Sequence, residues 1–235
     1  MQNFLYNKKY ELANYISQYP NLYTVISKML SGRDCYTTEK TDIVIDGFPR
    51  SANTYATYAF DVAQSKKIII ANHIHKKSQF LLAKKYGVPA ILLIRKPLDC
   101  ISSLLIRQPK YDPTTLFKSY YQFYDSLKGM DSYVVGSFDD VLNHYDEVIK
   151  KVNQKFKKQF NLYYKTPENE EKVKQIVQTQ DELINAKDYE QRVAYPSAAR
   201  KQAASNIKKL LSHKQYCSQL NDCNEMYNLI TAKDS

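Results

Sequence analysis

The sequence lacks the patterns that mark several common classes of protein. Its four cysteines show no C-x-x-C spacing, so neither a zinc site nor a dithiol redox motif is indicated, and a reducing cytoplasm is the simpler expectation. No run of about 18 apolar residues occurs, so we expect no transmembrane helix. The first 30 residues also lack the compact apolar core and small-residue cleavage site of a secretory signal. These absences favour a globular cytoplasmic protein.

Positive charge and tyrosine are what the chain has in excess. Lysine and arginine number 34 against 24 aspartates and glutamates, a net charge of +10. Such a charge suits an anionic ligand: a nucleotide, a nucleic acid, an acidic glycan or an anionic membrane surface. The lysine-rich stretch 150–158 is equally well explained as a solvated helix face. The 21 tyrosines, beside no tryptophan, could line a sugar site, but a spread over core and surface is the simpler explanation.

Strand-like and helix-like segments alternate between residues 41 and 135. Apolar, β-branched runs predict strands at 41–46, 67–72, 89–94 and 132–135. Helical patterns cover 9–30 with a break near Pro20, then 52–64, 76–86, a segment from Pro97, 113–130 and almost everything after 139. We therefore predict an α/β fold with a central parallel sheet of about four to five strands flanked by helices. Residues 1–235 form one domain, with an α/β core at 41–140 and a largely helical part at 141–235.

Three polar clusters each lie just after a predicted strand. They occupy residues 49–54, 73–77 and 95–103. Ligands of parallel α/β sheets bind outside the carboxyl ends of the strands, so we expect all three clusters to meet at one edge of the sheet.

The first cluster has the chemistry of an anion cradle. Arg50, Ser51, Asn53 and Thr54 crowd a turn that opens a helix, where free N–H groups and the helix dipole favour negative charge. The turn lacks the G-x-x-x-x-G-K-[ST] pattern of nucleotide P-loops, and an ordinary strand–turn–helix connection remains an alternative.

The second cluster offers a general base. On an extended segment, His73 and His75 point to the same side. A histidine beside an anion site titrates near neutral pH and suits proton abstraction. Metal ligation is disfavoured because no third ligand is obvious, and a pair of structural histidines stays open.

The third cluster places an arginine at the end of a strand. Arg95 suits bidentate contact with phosphate, although a surface salt bridge would also explain it. Asp99, in the first turn of the helix after Pro97, is expected to be structural: it can cap N–H groups and interact favourably with the positive end of the helix dipole.

Together these clusters resemble the sulfotransferases that use 3′-phosphoadenosine 5′-phosphosulfate (PAPS). The loop that grips the 5′-phosphosulfate in that family matches Pro49, Arg50, Ser51, Ala52, Asn53, Thr54 and Tyr55. The family's arginine and serine for the 3′-phosphate match Arg95 and Ser103, with Pro97 and Asp99 between them. The resemblance implies a P-loop-like fold and makes His73 the catalytic base, with His75 a near competitor. It also assigns Arg200 and Lys201 to a basic segment that closes over the cofactor.

Three departures from the family pattern stand out. Ala52 replaces a glycine, which is costly if the position needs a positive φ. Tyr55 replaces a tryptophan. Ala71 stands where many members have a lysine, so Arg50, Lys76 or Lys77 would have to supply that charge.

The resemblance implies in-line sulfuryl transfer from PAPS to a hydroxyl or amine, without a metal. His73 would take the acceptor proton, and Arg50 would stabilise the departing 5′-phosphate. The acceptor is expected to be a glycan, a glycolipid or another small molecule; nucleic acid is not an expected partner, and peripheral membrane contact stays open. Alternatives are a P-loop-type kinase and a non-enzymatic module that binds polyanions.

Overall fold

A computed structural model describes residues 2–31, 35–184 and 198–234. Within these residues four strands form one parallel sheet in the order β2-β1-β3-β4. The strands are β1 (Ile43–Gly47), β2 (Ile70–Asn72), β3 (Ala90–Ile94) and β4 (Val134–Ser137). In register, Ile45 of β1 lies opposite Asn72 of β2 and Ile91 of β3. The fold is therefore α/β, as the sequence predicts.

Helices cover both faces of this sheet. They are α1 (Gln2–Ile16), α2 (Pro20–Ser31), α3 (Asn53–Ala63), α4 (Ser78–Tyr86), α5 (Pro97–Arg107), α6 (Pro113–Asp125), α7 (Phe138–Asn143), α8 (Tyr145–Phe156), α9 (Pro167–Ile184), α10 (Ala198–Leu211) and α11 (Cys217–Thr231). Short 3-10 turns at Lys214–Tyr216 and Ala232–Asp234 flank α11. No helix in the described ranges is both long and apolar enough to cross a bilayer.

Both faces of the sheet are buried because its central strands are apolar on both sides. Every residue of β1 and β3 is buried. One core cluster joins alternate residues of these strands to α4, α5, α6, α10 and α11, and the other joins the intervening residues to α3, α8 and α9. This arrangement is typical of parallel sheets, which are covered by helices on both sides.

Element boundaries differ from the sequence prediction in four places. The helical region predicted to begin at residue 9 begins at Gln2, while its break before Pro20 is as predicted, and α6 ends at Asp125 rather than at residue 130. β4 lies two residues later than predicted. β2 is only three residues long, and just before it the Ile69 N–H donates to the Asp42 carboxylate at 2.8 Å.

Candidate functional site

The turn between β1 and α3 (residues 48–52) is tightly constrained at its start. A Cβ on Gly47 would lie 2.1 Å from the Leu93 carbonyl oxygen of β3, so this strand end tolerates only glycine. Beyond it, Arg50 (φ 73°) and Ala52 (φ 67°) both adopt the left-handed region. Ala52 is the N-cap of α3, and its methyl group cannot accept a hydrogen bond from the helix. Ala52 therefore has the positive φ that is energetically costly for alanine.

Buried contacts hold this turn from below. Ser51 is fully buried, with its hydroxyl 3.6 Å from the Cys100 sulfur. Burial raises the pKa of the Cys100 thiol to about 11, so the thiol stays protonated and donates to the Pro49 carbonyl at 2.9 Å. The Asn53 amide donates to the Phe48 carbonyl at 3.0 Å. The side chains of Ser51 and Asn53 therefore support the turn from inside the protein.

The first and third polar clusters meet directly. Arg50 Nε donates to Ser103 Oγ at 3.0 Å, and Arg95 Nη1 donates to the Arg50 carbonyl at 3.2 Å. The second cluster joins them through Thr54, whose Oγ1 lies 3.1 Å from His73 Nε2. The expectation that the three clusters share one edge of the sheet is confirmed.

Arg95 is held by an aromatic ring and not by an ion pair. Its guanidinium lies 3.9 Å from the ring centroid of Phe138, the first residue of α7, and the Tyr120 hydroxyl fixes its carbonyl at 2.7 Å. No carboxylate of the described residues pairs with it, and its buried Nε has no hydrogen-bond acceptor among them. The salt-bridge alternative for Arg95 is therefore wrong within the described structure.

Asp99 has a different role from the cap predicted for it. Its carboxylate pairs with Lys208 of α10, and Ser102 Oγ donates to its carbonyl at 3.2 Å. Asp99 thus ties the helical C-terminal part to α5. The predicted capping role does not appear, since the N-cap residue of α5 is Lys96 and no side chain caps it in the described structure.

A buried carboxylate organises the histidine segment. Asp46, at the end of β1, is completely buried, and four N–H donors surround it. Its Oδ1 accepts from the Gly47 N–H at 2.9 Å and lies 3.0 Å from His75 Nδ1; its Oδ2 accepts from the Ile74 and His75 N–H groups at 3.0 and 2.9 Å. Burial alone would raise the pKa of Asp46, but the His75 ring and N–H outweigh it, and the pKa lies below its usual value.

The two histidines do not lie on an extended segment, which corrects the prediction. His73 and His75 both have φ 55°, a conformation that the donors to Asp46 impose. Their rings still lie together, with centroids 5.8 Å apart. Within the described residues, no group of three or more potential metal ligands occurs.

Each histidine is oriented through Nδ1. His73 Nδ1 lies 2.6 Å from the Asn72 amide oxygen, and His75 Nδ1 lies 2.9 Å from the Gly47 carbonyl and close to Asp46. Because these neighbours are acceptors, the hydrogen-bond network assigns the proton to Nδ1 in both rings and leaves Nε2 as the basic nitrogen. His73 Nε2 accepts from Thr54, whereas His75 has the buried aspartate that commonly orients a catalytic histidine.

The Lys76 ammonium group contacts α1 rather than the first and third clusters in the described structure. It donates to the Asn14 side chain of α1 and lies 4.4 Å from the Tyr10 ring centroid. Burial lowers its pKa to about 8, although Asp46 acts in the opposite direction. Burial also lowers the pKa of Lys77, which is half-buried. Of the three candidates for the charge missing at Ala71, Arg50 is the one that contacts the other clusters.

Tyr55 joins the turn to the C-terminal half. Its hydroxyl donates to the Glu170 carboxylate of α9 at 2.5 Å, and Tyr163 donates to the same oxygen at 2.9 Å. Burial and this hydrogen bond raise the pKa of Tyr55 well above its usual value. The segment 185–197 lies outside the described residues. Arg200 and Lys201 fall on α10, and their side chains lie outside the described part as well.

Sequence reasoning missed two residues of this site. Neither Asp46 nor Phe138 was predicted from the sequence to belong to it. The signal for Asp46 was an acidic residue that ends an otherwise apolar strand. In comparisons with known proteins, no family model matches the chain, and no curated protein matches it at a significant level.

Proposed function

We propose that this protein is a sulfotransferase that moves a sulfuryl group from PAPS to a hydroxyl or amine of an acceptor. The observation that carries the proposal is the meeting of the three polar clusters: Arg50 contacts Ser103, and Thr54 contacts His73. The resemblance of two of these clusters to the family's 5′- and 3′-phosphate motifs supports it, as does the parallel sheet on which they lie.

In this proposal the positively charged side chains and backbone N–H groups at this edge of the sheet bind the anionic ends of the donor. Arg50 and the first N–H groups of α3 hold the 5′-phosphosulfate, while Arg95 and Ser103 hold the 3′-phosphate. The buried Arg95 Nε, which lacks an acceptor among the described residues, supports a ligand oxygen nearby. Fixed donors of this kind stabilise developing charge without reorganisation.

The chemistry needs one base and no metal. PAPS supplies the sulfuryl group: a bond forms between the acceptor oxygen or nitrogen and sulfur as the bond from sulfur to the 5′-phosphate oxygen breaks. The acceptor proton passes to a histidine Nε2, and His73 is the first candidate because it contacts the turn through Thr54. His75 is the second, because its Nδ1 lies 3.0 Å from the buried Asp46 carboxylate, which fixes the orientation of the ring.

The proposed compartment is the cytoplasm, in keeping with four cysteines none of which forms a disulfide. The proposed acceptor is a glycan, a glycolipid or another small molecule.

Binding of 3′,5′-adenosine bisphosphate, measured by isothermal titration calorimetry, tests the donor site. We expect binding that EDTA leaves unchanged, and a loss of about 10- to 100-fold in Arg95→Ala, as for a hydrogen bond to a charged group. Lys84→Ala, which removes an exposed charge from the far end of α4, is the matched control. Binding that requires Mg²⁺, with ATP turnover, would support a kinase instead. Salt-sensitive polyanion binding without nucleotide affinity would support the polyanion-binding module.

Single-turnover rates with labelled PAPS test the base. His73→Ala should lower the rate by about 10²- to 10⁴-fold while bisphosphate affinity stays within about twofold. His75→Ala is the matched comparison at the neighbouring ring. A full loss in His75→Ala with an unaltered rate in His73→Ala would reverse the two assignments, and unaltered rates in both would remove histidine as the base.

A further inference from the structure

The outer face of α1 is apolar and exposed. Phe4, Leu5, Leu12 and Tyr15 are each between 56% and 63% exposed. At 100° per residue these four side chains fall within an arc of about 100°, so they form a single stripe along the helix. The opposite side of α1 makes its polar contacts with the body of the protein, for example from Asn14 to Ser119 at 3.1 Å.

The stripe continues onto α2. The Tyr15 and Tyr19 rings lie 6.4 Å apart across the connection between the helices. In α2, Leu22, Val25 and Met29 follow at helical spacing, with exposures of 52%, 57% and 81%. We call these side chains on α1, α2 and their connection the N-terminal apolar face.

This concentration of exposed apolar side chains is confined to one region. Of the fourteen large apolar residues that are exposed in the described ranges, nine lie between residues 4 and 30. The other five are scattered singly over the surface. Scattered exposed side chains are ordinary, whereas a contiguous apolar surface indicates an interaction site.

Lysines accompany the apolar side chains on these helices. Lys8 lies within the arc of the α1 stripe, with its ammonium group 5.7 Å from the Phe4 ring centroid, and Lys9 is its neighbour. The acidic residue of α1 and α2 in the described ranges is Glu11, and Lys8 pairs with it at 2.9 Å. With Lys28 of α2, these helices carry a net charge of +2. The two helices that carry the N-terminal apolar face therefore have a net positive charge.

We propose that the N-terminal apolar face binds peripherally to an anionic lipid bilayer. Its apolar side chains would enter the region between headgroups and acyl chains, and its lysines would contact the headgroup charges, as in amphipathic interfacial helices. A lysine within the stripe suits this partner because its apolar stem can be buried while its ammonium group stays with the headgroups. A second copy of the chain fits less well, because interface cores are depleted of lysine and a chain of charge +10 repels itself. The proposal does not depend on the proposed enzyme activity.

Vesicle co-sedimentation of the full chain tests this binding. The probes are vesicles of phosphatidylcholine alone and vesicles with about 30% phosphatidylserine, within the range for which anionic leaflets attract basic segments. Binding should occur to the anionic vesicles and weaken in high salt. Leu12→Glu with Met29→Glu should lower the partition constant at least about tenfold, because each change removes an apolar side chain from the contact and adds repulsion. Lys8→Ala with Lys9→Ala should lower it about fivefold per lysine.

Leu210→Glu with Leu229→Glu provides the matched control. These two leucines are 53% and 51% exposed and lie on α10 and α11, so the double variant changes charge equally while leaving the N-terminal apolar face intact. After correction for its added negative charge, its partition constant for anionic vesicles should lie within about threefold of the wild-type value. An equal loss in both double variants would overturn the proposal.

A conservative reporter avoids any effect of the charged substitutions on folding. The chain has no tryptophan, so Leu12→Trp creates a single fluorophore on the N-terminal apolar face. Its emission should shift to shorter wavelength when anionic vesicles are added, whereas that of Leu210→Trp should not. No shift at residue 12, or a wild-type dimer that Leu12→Glu with Met29→Glu converts to a monomer in the absence of vesicle binding, would overturn the proposal.

Discussion

The carboxyl edge of the sheet and the N-terminal apolar face depart from maximal stability in different ways. At the carboxyl edge the backbone is strained. Five non-glycine residues of the described structure have a positive φ, and four of them lie at this edge: Arg50, Ala52, His73 and His75. On the N-terminal apolar face the helices are regular, and the unfavourable feature is the exposure of their apolar side chains to water.

The two regions depend on different surroundings. Strained backbone persists where surrounding contacts determine it, and here Asp46, Cys100 and the close approach of β3 supply those contacts. The edge should therefore respond to changes inside the protein. The N-terminal apolar face should respond to changes in what lies outside it, as the vesicle experiments examine.

Gly47→Ala should break the edge most severely. The new Cβ would meet the Leu93 carbonyl oxygen at 2.1 Å, so β1 and β3 would have to separate where the turn begins. We expect a loss of about 3 kcal/mol or more in the free energy of unfolding, measured by chemical denaturation. Gly129→Ala is the control, because a Cβ there has no atom within 4 Å and should change stability by less than about 0.5 kcal/mol. Similar losses in the two variants would contradict the close approach of the strands.

Asp46→Asn should have the next largest effect. All the neighbours of the carboxylate are N–H donors, so an amide must turn its own NH₂ group against two of them. We expect a loss of about 1.5–3 kcal/mol at pH 7, the range for hydrogen bonds to a charged group. Asp42→Asn, just before β1, is the milder comparison because the amide oxygen still serves its single donor, the Ile69 N–H.

The loss of stability in Asp46→Asn should depend on pH. The folded-state pKa of Asp46 is lowered, so its contribution is complete above the unfolded-state pKa of about 3.9 and is lost as the pH falls through the folded-state value. The difference in unfolding free energy between wild type and Asp46→Asn should shrink below about pH 4. A constant difference between pH 7 and pH 2.5 would show that the charge of Asp46 is not its source.

The sequence predicted the framework of the fold and the composition of the edge. Alternating apolar strands and helices imply a parallel sheet, and the carboxyl ends of parallel strands share an edge, which is why Arg50, His73 and Arg95 could be grouped in advance. The donor chemistry of that group stays a prediction until the binding experiment is done.

What the sequence did not reveal depends on tertiary contacts. Asp46 accepts from N–H groups 28 and 29 positions later, and these bonds set the conformation of the histidines. Lys76 turns to Asn14 of α1 because that helix packs over it. No local pattern encodes such partners. Helical periodicity predicted α1 and α2, but it did not tell which apolar side chains would face water.

Ala52→Gly should produce the smallest change and the one with the opposite sign. An L-residue in the left-handed region destabilises the folded state by about 1–2 kcal/mol, and glycine does not have this strain. Glycine also gives the unfolded chain more conformational entropy, which costs about 0.5–1 kcal/mol of stability. The expected net result is a gain of about 0.5–1 kcal/mol in unfolding free energy. Ala203→Gly, inside α10, should instead lose about 0.5–1 kcal/mol, since glycine is the poorer helix former. A loss at both positions would mean that Ala52 does not hold a positive φ in solution. A gain at residue 52 alone would establish that the turn carries strain that its inner contacts, and not its own sequence, sustain.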